Sequence, residues 1–527
     1  MSKIFISGIG GSGAYYLARY FLELGNPVWG SDLNDNERVA DLETRGAVIH
    51  VGSPDLDWIK RQEPFNRYIY SPALPADHPE RKHFDQTNTA TQDVGVATDK
   101  LVQAYFKGQL TARERTALKN SELLPLLKID WNAKKYFAIT GTDGKTTTIA
   151  MIYHLLRKLG QSVAMINTLG LTVNDQTVDT GLHTTTPTSQ ELYQLLSDPQ
   201  LEQINNVVLE VTSHALSMGR VAGAKFDTGV ITNITHEHLD YHGTWDDYFQ
   251  AKTRLITEHL KPAGVAVLNQ ADAKSFTPLK TLCEQQKIKF IAVNPNHTAD
   301  RLTLPDHLNT DYNQANAALA LAAVRAVQPE LKLDRDGVSR MLNDLPKLSG
   351  RMEILQKTPF EIIVDFAHTE NSLREVLAAA QKRLTESGQL RVVFGCAGMR
   401  DATKRFGMGQ AAADLADTIY VCPEDPRLED LREINHEILR GMGVAEDQKL
   451  KRIDQNFFQT TTPTGKIVKI FQEPTVQARR DAIEAAIQDA QPHDIVVICG
   501  KGHEKSLCFG TTEYPWSDQA TVLGLLG

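Results

Sequence analysis

Cysteine is scarce. Five residues in 527 (Cys283, Cys396, Cys422, Cys499 and Cys508) are odd in number, scattered, and without a C-x-x-C pair. That excludes a disulfide scaffold and a cysteine-ligated zinc site, and fits reduced thiols in a cytoplasm. No apolar run reaches membrane-spanning length, and Gly8, Gly10, Gly11 and Gly13 stand where a secretory signal would need an unbroken apolar core. A cytoplasmic location without membrane insertion is expected. An excess of positive charge is missing too. With 56 Lys and Arg against 65 Asp and Glu the net charge is −9, which argues against nucleic acid as a general partner. Internal repeats and long low-complexity tracts are also absent. Length is not lacking: 527 residues exceed a single core, and roughly two to four domains are expected.

The most informative segment is residues 141–147, Gly-Thr-Asp-Gly-Lys-Thr-Thr. It follows the apolar run Tyr136–Thr140 and precedes a helix-patterned stretch from Thr147 to Leu159. A strand, a tight turn and a helix N-terminus aim backbone N–H groups and a partial positive charge at one spot. Lys145 adds a full charge, and Thr146 can ligate a magnesium ion held between phosphates. This is the chemistry of a nucleoside-triphosphate site. The loop departs from the usual pattern at Ile139, five residues before Gly144, where a glycine is common.

Near the N-terminus, the strand Lys3–Ser7 runs into Gly8-Ile-Gly10-Gly11-Ser12-Gly13 and a helix pattern through Leu24, and a second strand ends at Asp32. In isolation this is a dinucleotide-binding fingerprint. From about Lys82 to Trp131 the pattern weakens, with a Gln/Thr-rich stretch at 86–92, read as the end of the first domain plus a connector. Further strands are expected at Tyr136–Thr140, Ser162–Asn167, Asn206–Val211, Thr228–Asn233 and Gly264–Asn269. A later set is expected at Ile362–Asp365, Arg391–Gly395, Thr418–Val421 and Ile495–Cys499. Alternation with helices predicts an α/β chain of three domains with parallel sheets. These are a Rossmann-like domain with connector at 1–130, a central P-loop ATPase domain at 131–349, and a Rossmann-like α/β domain at 350–527.

Ligands in open α/β sheets bind at the carboxyl ends of strands. The strand after Asn206 ends in Glu210-Val-Thr-Ser-His214, and the one after Thr228 in Asn233-Ile-Thr-His-Glu-His238-Leu-Asp-Tyr-His242. Oxygen and imidazole ligands beside a triphosphate loop suit Mg²⁺-dependent phosphoryl transfer. Zinc is disfavoured, because no cysteine or H-E-x-x-H spacing accompanies the histidines.

These motifs occur in a known order. Gly141–Thr147, Glu210–His214, Asn233–His242 with Tyr248-Phe-Gln-Ala-Lys252, Asn313 and Asn316, Gly350-Arg-Met-Glu353 and Val364-Asp-Phe-Ala-His368 resemble the Mur ligase family, ATP-dependent amide-forming enzymes of peptidoglycan precursor synthesis. The resemblance covers roughly residues 134–527. It is nearest to the UDP-N-acetylmuramoyl-tripeptide synthetases, on His183-Thr-Thr-Thr-Pro187, Glu210–Leu216 with Arg220, and Gly500-Lys-Gly-His-Glu504. The N-terminal part, with Gly8–Gly13, Gly30-Ser-Asp32, Ser71-Pro-Ala and Asp77-His-Pro-Glu80, looks more like that of the UDP-N-acetylmuramate–alanine ligases. The chain reads as a hybrid.

The resemblance implies the following roles. Gly141, Thr142, Asp143, Gly144, Lys145, Thr146 and Thr147 hold the phosphates of ATP, with Lys145 on the β and γ groups. Thr146 and Glu210 ligate one Mg²⁺ and His238 a second. Arg351 neutralises the transferring phosphoryl group. Asn313, Asn316 and His368 contact adenine, and Asp365 the ribose. Lys252 is carbamylated by CO₂ to an N6-carboxylysine near the second Mg²⁺; read without the family, it would be a solvated helix lysine. Gly8, Gly10, Gly11, Ser12, Gly13, Asp32 and Ser71 would hold the UDP-sugar. His183, Thr184, Thr185, Thr186, Ser213 and Arg220 would hold the muramoyl-dipeptide. Glu424, Asp425, Arg427, Gly500 and Glu504 would select the incoming amino acid, where diaminopimelate-adding members carry Asp-Asn-Pro-Arg in place of Glu424-Asp-Pro-Arg427. The implied partners are UDP-MurNAc-L-Ala-D-Glu and a free diamino acid, with meso-diaminopimelate favoured over L-lysine, and the chain is expected to be a monomer.

The rivals are an alanine-adding ligase, argued from the first domain; an NAD(P)-dependent oxidoreductase, argued from Gly8–Gly13 and Asp32; and a non-catalytic nucleotide-binding regulator. A folate polyglutamate ligase is disfavoured by Glu424–Arg427 and Gly500–Glu504.

Overall fold

The computed structural model describes residues 2–71, 74–75, 77–106, 108–168, 170–178, 185–295, 301–331, 333–385, 387–445, 448, 450–453 and 457–527. The first sheet has five parallel strands, in the order Val48–Val51, Val28–Asp32, Ile4–Ser7, Arg67–Tyr70, Ala90–Asp93. The order in which the chain adds strands reverses at Ile4–Ser7, between Val28–Asp32 on one side and Arg67–Tyr70 on the other, and the Gly8–Gly13 loop leaves the sheet at that switch point. Ile4–Ser7 is buried throughout, because helices or loops cover both faces. Ile4 and Ile6 pack on one side with Leu17, Val28 and Ile69. Phe5 packs on the other with Phe65, Tyr68 and Phe84. The edge strand Ala90–Asp93 is largely exposed, which is why its sequence reads as polar and weakly patterned. The two helices that follow, Val94–Phe106 and Ala112–Asn120, place Val94, Val102 and Leu118 in the core around the helix Ser12–Glu23.

The central sheet runs Lys289–Val293, Leu260–Asn269, Phe226–Ile231, Lys135–Thr140, Asn206–Glu210, Val163–Asn167, Gly170–Val173, Gln176–Val178. The C-terminal sheet runs Glu353–Gln356, Glu361–Asp365, Ile495–Cys499, Leu390–Phe394, Thr418–Val421, Ile467–Ile470, Phe458–Thr461, Lys451–Arg452. Its middle pairings are parallel. Residues alternate between two buried layers, Val392, Phe394, Ile419 and Val497 on one side and Val393, Tyr420, Val496 and Ile498 on the other.

The expectation of purely parallel sheets is corrected at the edges. Gly170–Val173 and Gln176–Val178 form an antiparallel hairpin on Val163–Asn167, turned by Asn174 and Asp175 at φ 51° and 64°. Two consecutive residues at positive φ match the twist of a two-residue hairpin. Glu353–Gln356 and Phe458–Thr461 are also antiparallel to their neighbours.

By chain contacts the protein divides into two compact units, 1–138 with 162–229 and 251–264, and 139–161 with 230–250 and 265–527. All five cysteines are buried and free. Among the described residues no helix is long and apolar enough to cross a membrane.

Candidate functional site

In the second unit, the end of the strand Lys135–Thr140 turns through residues 141–144 into the helix Lys145–Lys158. Gly144 caps the helix at φ 81°, a conformation that favours glycine. There is also no room for a side chain, since a Cβ on Gly144 would lie 2.4 Å from Asn316 Oδ1, and one on Gly141 1.8 Å from Thr232 Oγ1. The loop is braced from several sides. Asn233 Oδ1 accepts from the backbone N–H of Thr142 (3.1 Å) and Asp143 (2.9 Å), and Thr232 Oγ1 donates to Asp143 O (2.6 Å). Lys145 Nζ folds over the loop, donating to Gly141 O (3.1 Å) and Thr142 O (2.9 Å). The result is a rigid turn whose helix-end N–H groups and lysine suit an anion.

Residues predicted to contact adenine, ribose and phosphate take defined places around that turn. Asn316 Nδ2 donates to Asn313 Oδ1 (3.1 Å), and Thr148 Oγ1 donates to Asn316 Oδ1 (3.3 Å). Both asparagines are buried on the helix Asp311–Val327. Asp143 is held by Asn371 Nδ2 (2.9 Å) and Thr369 Oγ1 (3.5 Å), at the start of the helix Glu370–Gln381. Burial pushes its carboxyl above the ordinary range. Arg351 follows Gly350 (φ 64°) and brings Nη2 to 3.4 Å from Thr146 Oγ1, its guanidinium 4.6 Å from the Phe366 ring centre. Asp365 fixes that arginine's turn, accepting from Met352 N (2.7 Å) and Ala367 N (2.8 Å); burial raises its pKa too.

His238, at φ 57°, and His368 meet on a residue to which the sequence reading gave no role. Glu237 is 3% exposed, with His368 Nε2 3.1 Å and His238 Nε2 3.6 Å from its carboxylate. Burial alone would raise its pKa, but the two histidines and Lys404 hold it well below the usual range. The signal lay in plain view, an acid between His236 and His238, but its second partner is 131 residues away.

In the first unit, Glu210 ends the strand Asn206–Glu210 at 1% exposure, with Thr168 Oγ1 3.4 Å from its carboxylate. Thr186 Oγ1 donates to Glu210 O (3.0 Å) and accepts from Thr212 N (2.9 Å), while Arg220 Nη1 donates to Thr186 O (2.9 Å). Thr185 lies 3.2 Å from Thr168. Ser213 Oγ is buried with no hydrogen-bond partner among the described residues. His183 and Thr184 lie outside the described residues. Lys252, on the helix Trp245–Thr257, is 1% exposed, which removes the solvated-lysine alternative.

At the N-terminal loop, Asp32 Oδ2 accepts from Gly10 N (2.9 Å) and Oδ1 from Asn34 N (3.2 Å). The acid that a dinucleotide site would aim at a ribose is occupied with its own loop. Gly8 (φ 70°) packs against Ser71, and a Cβ on Gly13 would meet Val94. Gly11 caps the helix that begins at Ser12 without a side-chain hydrogen bond to its first N–H groups. Beneath the loop, buried Glu80 accepts from Ser31 Oγ (2.7 Å) and from Ser7 Oγ.

The segments after Thr418–Val421 and Ile495–Cys499 form a charged cluster. Lys501 Nζ lies 3.0 and 2.9 Å from the Asp425 oxygens and 2.5 Å from Glu504 Oε2. Arg427 Nη1 donates to Gly398 O (3.1 Å). Gly500 (φ 107°) leaves room for Glu424, whose Oε2 would sit 2.0 Å from a Cβ there. Glu424 Oε2 is buried without a hydrogen-bond partner among the described residues. Burial pushes the Glu424 carboxyl up to about 7, against the pull of Lys404, Arg479, His368 and Lys501. A buried carboxyl oxygen without a hydrogen-bond partner among the described residues calls for an explanation.

No group of three or more His, Cys, Asp or Glu among the described residues is placed to hold a metal. Mg²⁺ shared with phosphates needs only one or two protein oxygens, and on the phosphate-loop helix the Thr146 hydroxyl is an oxygen of that kind.

Comparison with known proteins gives matches along the chain. The description "Mur ligase family, catalytic domain" matches residues 3–106, "Mur ligase middle domain" residues 139–324, and "Mur ligase, glutamate ligase domain" residues 350–502. The UDP-N-acetylmuramoyl-L-alanyl-D-glutamate–2,6-diaminopimelate ligase of Trichormus variabilis is 35% identical over 410 residues, 73% of this chain and 75% of that one. The protein of the same name from Geobacter metallireducens is 33% identical over 411 residues, 73% and 76%. Among solved structures, folylpolyglutamate synthase of Mycobacterium tuberculosis aligns over 77% of this chain and 96% of its own, at a TM-score of 0.51 and 18% identity; that likeness concerns the fold.

Proposed function

The chain belongs to the Mur ligase family, and from that membership we propose that it joins a diamino acid to UDP-MurNAc-L-Ala-D-Glu at the expense of ATP. One observation carries the catalytic part of this reading. Arg351 reaches the first-turn hydroxyl of the phosphate-loop helix, so a cation from the C-terminal segment stands over the phosphate site. A protein that only binds a nucleotide does not need that arrangement; phosphoryl transfer does.

The substrate carboxylate attacks the γ-phosphorus of ATP, giving an acyl phosphate and ADP. The amine of the diamino acid attacks the acyl carbon, loses a proton, and phosphate leaves with the C–O bonding pair. Mg²⁺, when bound, offsets the phosphate charge. The phosphate loop holds the triphosphate, Lys145 swings from the loop carbonyls to its β and γ groups, and Arg351 faces the transferring group. Asn313, Asn316, Asp365 and His368 brace the loop and the Arg351 turn, and present the nucleotide end. Thr185, Thr186, Ser213 and Arg220 receive the muramoyl-dipeptide, and the Gly8–Gly13 loop receives the UDP pyrophosphate. Glu424, Arg427 and Glu504 receive the diamino acid, with meso-diaminopimelate preferred because its far carboxylate offers Arg427 a closer partner than Asp425, which lies 3.7 Å away and is shared with Lys501.

The test offers purified protein ATP, Mg²⁺ and UDP-MurNAc, with or without the dipeptide, and then alanine, lysine or diaminopimelate, following phosphate release. Turnover with a diamino acid and the dipeptide-bearing substrate is expected. Turnover with alanine on UDP-MurNAc alone would make the chain an alanine-adding ligase, and none at all would favour a regulator. Thermal protection by UDP-sugar and not by NAD(H) is expected, given that Asp32 is already engaged.

Glu424 supplies a pH prediction. Ionised Glu424 is the form that receives an ammonium, and with its pKa at about 7 the KM for the diamino acid should fall about tenfold between pH 6 and 8. Stability should move the other way. The folded carboxyl keeps a proton that the unfolded one has lost, so stability declines as pH rises from the ordinary glutamate value towards 7. Glu424→Gln should raise the KM at pH 8, flatten its pH profile, and raise the Tm at pH 8. A KM profile unchanged by the substitution would remove Glu424 from the site.

A further inference from the structure

Two segments proposed above to hold the amino acid are tied to each other through a residue with no role in that reading, Lys501. We propose that Lys501 is a positioning residue that sets amino-acid specificity by offsetting the charge of Asp425 behind the partly exposed pair Arg427 and Glu504, so that, with Glu424 as the buried carboxyl beside them, the substrate meets a site without the added negative charge of Asp425. The inference rests on the diamino-acid ligase reading and deepens it.

The four charges form one chain of ion pairs, Arg427 to Asp425 (3.7 Å), Asp425 to Lys501 (2.9 Å) and Lys501 to Glu504 (2.5 Å), graded from buried to exposed. Lys501 is 2% exposed and spans both Asp425 oxygens, while the Asp425 side chain is 12% exposed and also accepts from Cys508 N (2.9 Å). Arg427 and Glu504 are the open members, with side chains 25% and 40% exposed. Asp425 and Arg427 both sit at positive φ, 46° and 54°, a conformation that non-glycine residues keep only where the surroundings hold them. The holding groups are present. Arg479, wholly buried on Asp518, donates to Pro423 O (3.2 Å) and Cys499 O (2.9 Å), the residues just before the two segments. A Cβ on Gly398 would lie 2.0 Å from Pro426 O, so the segment ahead of Arg427 is also packed without slack.

The charge balance then decides what fits. A cation and an anion side by side complement the far end of diaminopimelate, which carries a carboxylate and an ammonium. Lysine ends in an ammonium alone and would offer the guanidinium no carboxylate, leaving it Asp425 at 3.7 Å and Gly398 O. Asparagine stands at the Asp425 position in the Asp-Asn-Pro-Arg segment of diaminopimelate-adding members; here the added negative charge is cancelled internally by Lys501. Without Lys501, Asp425 and Glu504 would both face the pocket, a surplus of negative charge that suits a bare ammonium.

Lys501→Met should therefore lower the ratio of kcat/KM for diaminopimelate over lysine by at least tenfold, with the KM for ATP within about twofold of the parent. Adding Asp425→Asn should return the ratio towards the parent, because the surplus charge is gone. Asp425→Asn alone, which leaves Lys501 in excess, should disfavour lysine further. A Lys501→Met enzyme with the parent's ratio overturns the proposal, as does a double variant shifted as far towards lysine as the single one. If Lys501→Met does not fold, Asp425→Asn decides: a ratio unchanged from the parent overturns it. Absence of turnover with every amino acid in the parent itself would instead overturn the ligase reading.

Discussion

Lys252→Ala is expected to lose activity by on the order of 10³-fold or more, and formate or acetate in the assay to return part of it. A carbamate forms when a neutral amine attacks CO₂, which turns a cation into a carboxylate-like anion. In water a lysine is protonated and unreactive; burial disfavours the charged form and frees the amine. Lys252 is 1% exposed and among the largest fully buried side chains. Truncation to alanine removes the anion and leaves space, and a small carboxylic acid can enter it and supply the missing charge. A purely structural lysine predicts a different result. Its loss would lower the Tm and activity together, and added carboxylates would restore neither. Absence of rescue in a folded Lys252→Ala enzyme, or full activity without the lysine, would sink the carbamate.

The parts of this protein that were legible from sequence are those built from neighbours in the chain. The phosphate loop is one: Gly141, Gly144, Lys145 and Thr146 lie within six positions, and strand, turn and helix each leave a local pattern. The strands Thr418–Val421 and Ile495–Cys499 were readable end to end, because strands buried on both faces become continuous apolar runs. What stayed hidden depends on distant partners. Glu237 was quoted with its histidines, but His368 is what makes it a hub. Asp425 pairs with Lys501, 76 residues on, a partner that no local pattern announces. The antiparallel hairpin at Gly170–Val178 was missed for a different reason. Its Asn174-Asp175 turn is a usable signal, but it was submerged in the expectation of strictly alternating strands and helices. Asn313 and Asn316 are a middle case: their spacing is legible, and the structure adds that Asn316 packs on Gly144 and bonds Thr148 while Asn313 holds Asn316, so a change there would disturb the loop as well as any base contact.

Arg351→Ala is expected to lower kcat by roughly 10³-fold or more while leaving the KM for ATP within a few-fold of the parent. The reason lies in when the arginine matters. In the proposed mechanism the phosphate loop and Lys145 would hold the triphosphate before reaction and after it, which is uniform binding. A guanidinium over the transferring group gains most when charge spreads over the three phosphoryl oxygens, and that gain appears in kcat. Its position is imposed by parts that hold still without ATP. Gly350 takes φ 64° and packs so closely that a Cβ would lie 2.5 Å from Gly502 C and His503 N, while Asp365 takes the Met352 N–H. The Phe366 ring lies under the guanidinium, a stack that suits a planar cation. Arg351→Lys should accordingly recover little, because an ammonium neither stacks in the same way nor presents a planar fork. An arginine that only stiffened the Phe366 turn would give the opposite split: a lowered Tm, a raised KM for ATP, and a kcat within about tenfold of the parent. Measuring kcat, KM and Tm for both variants separates these outcomes, and the second pattern would take Arg351 out of the chemistry.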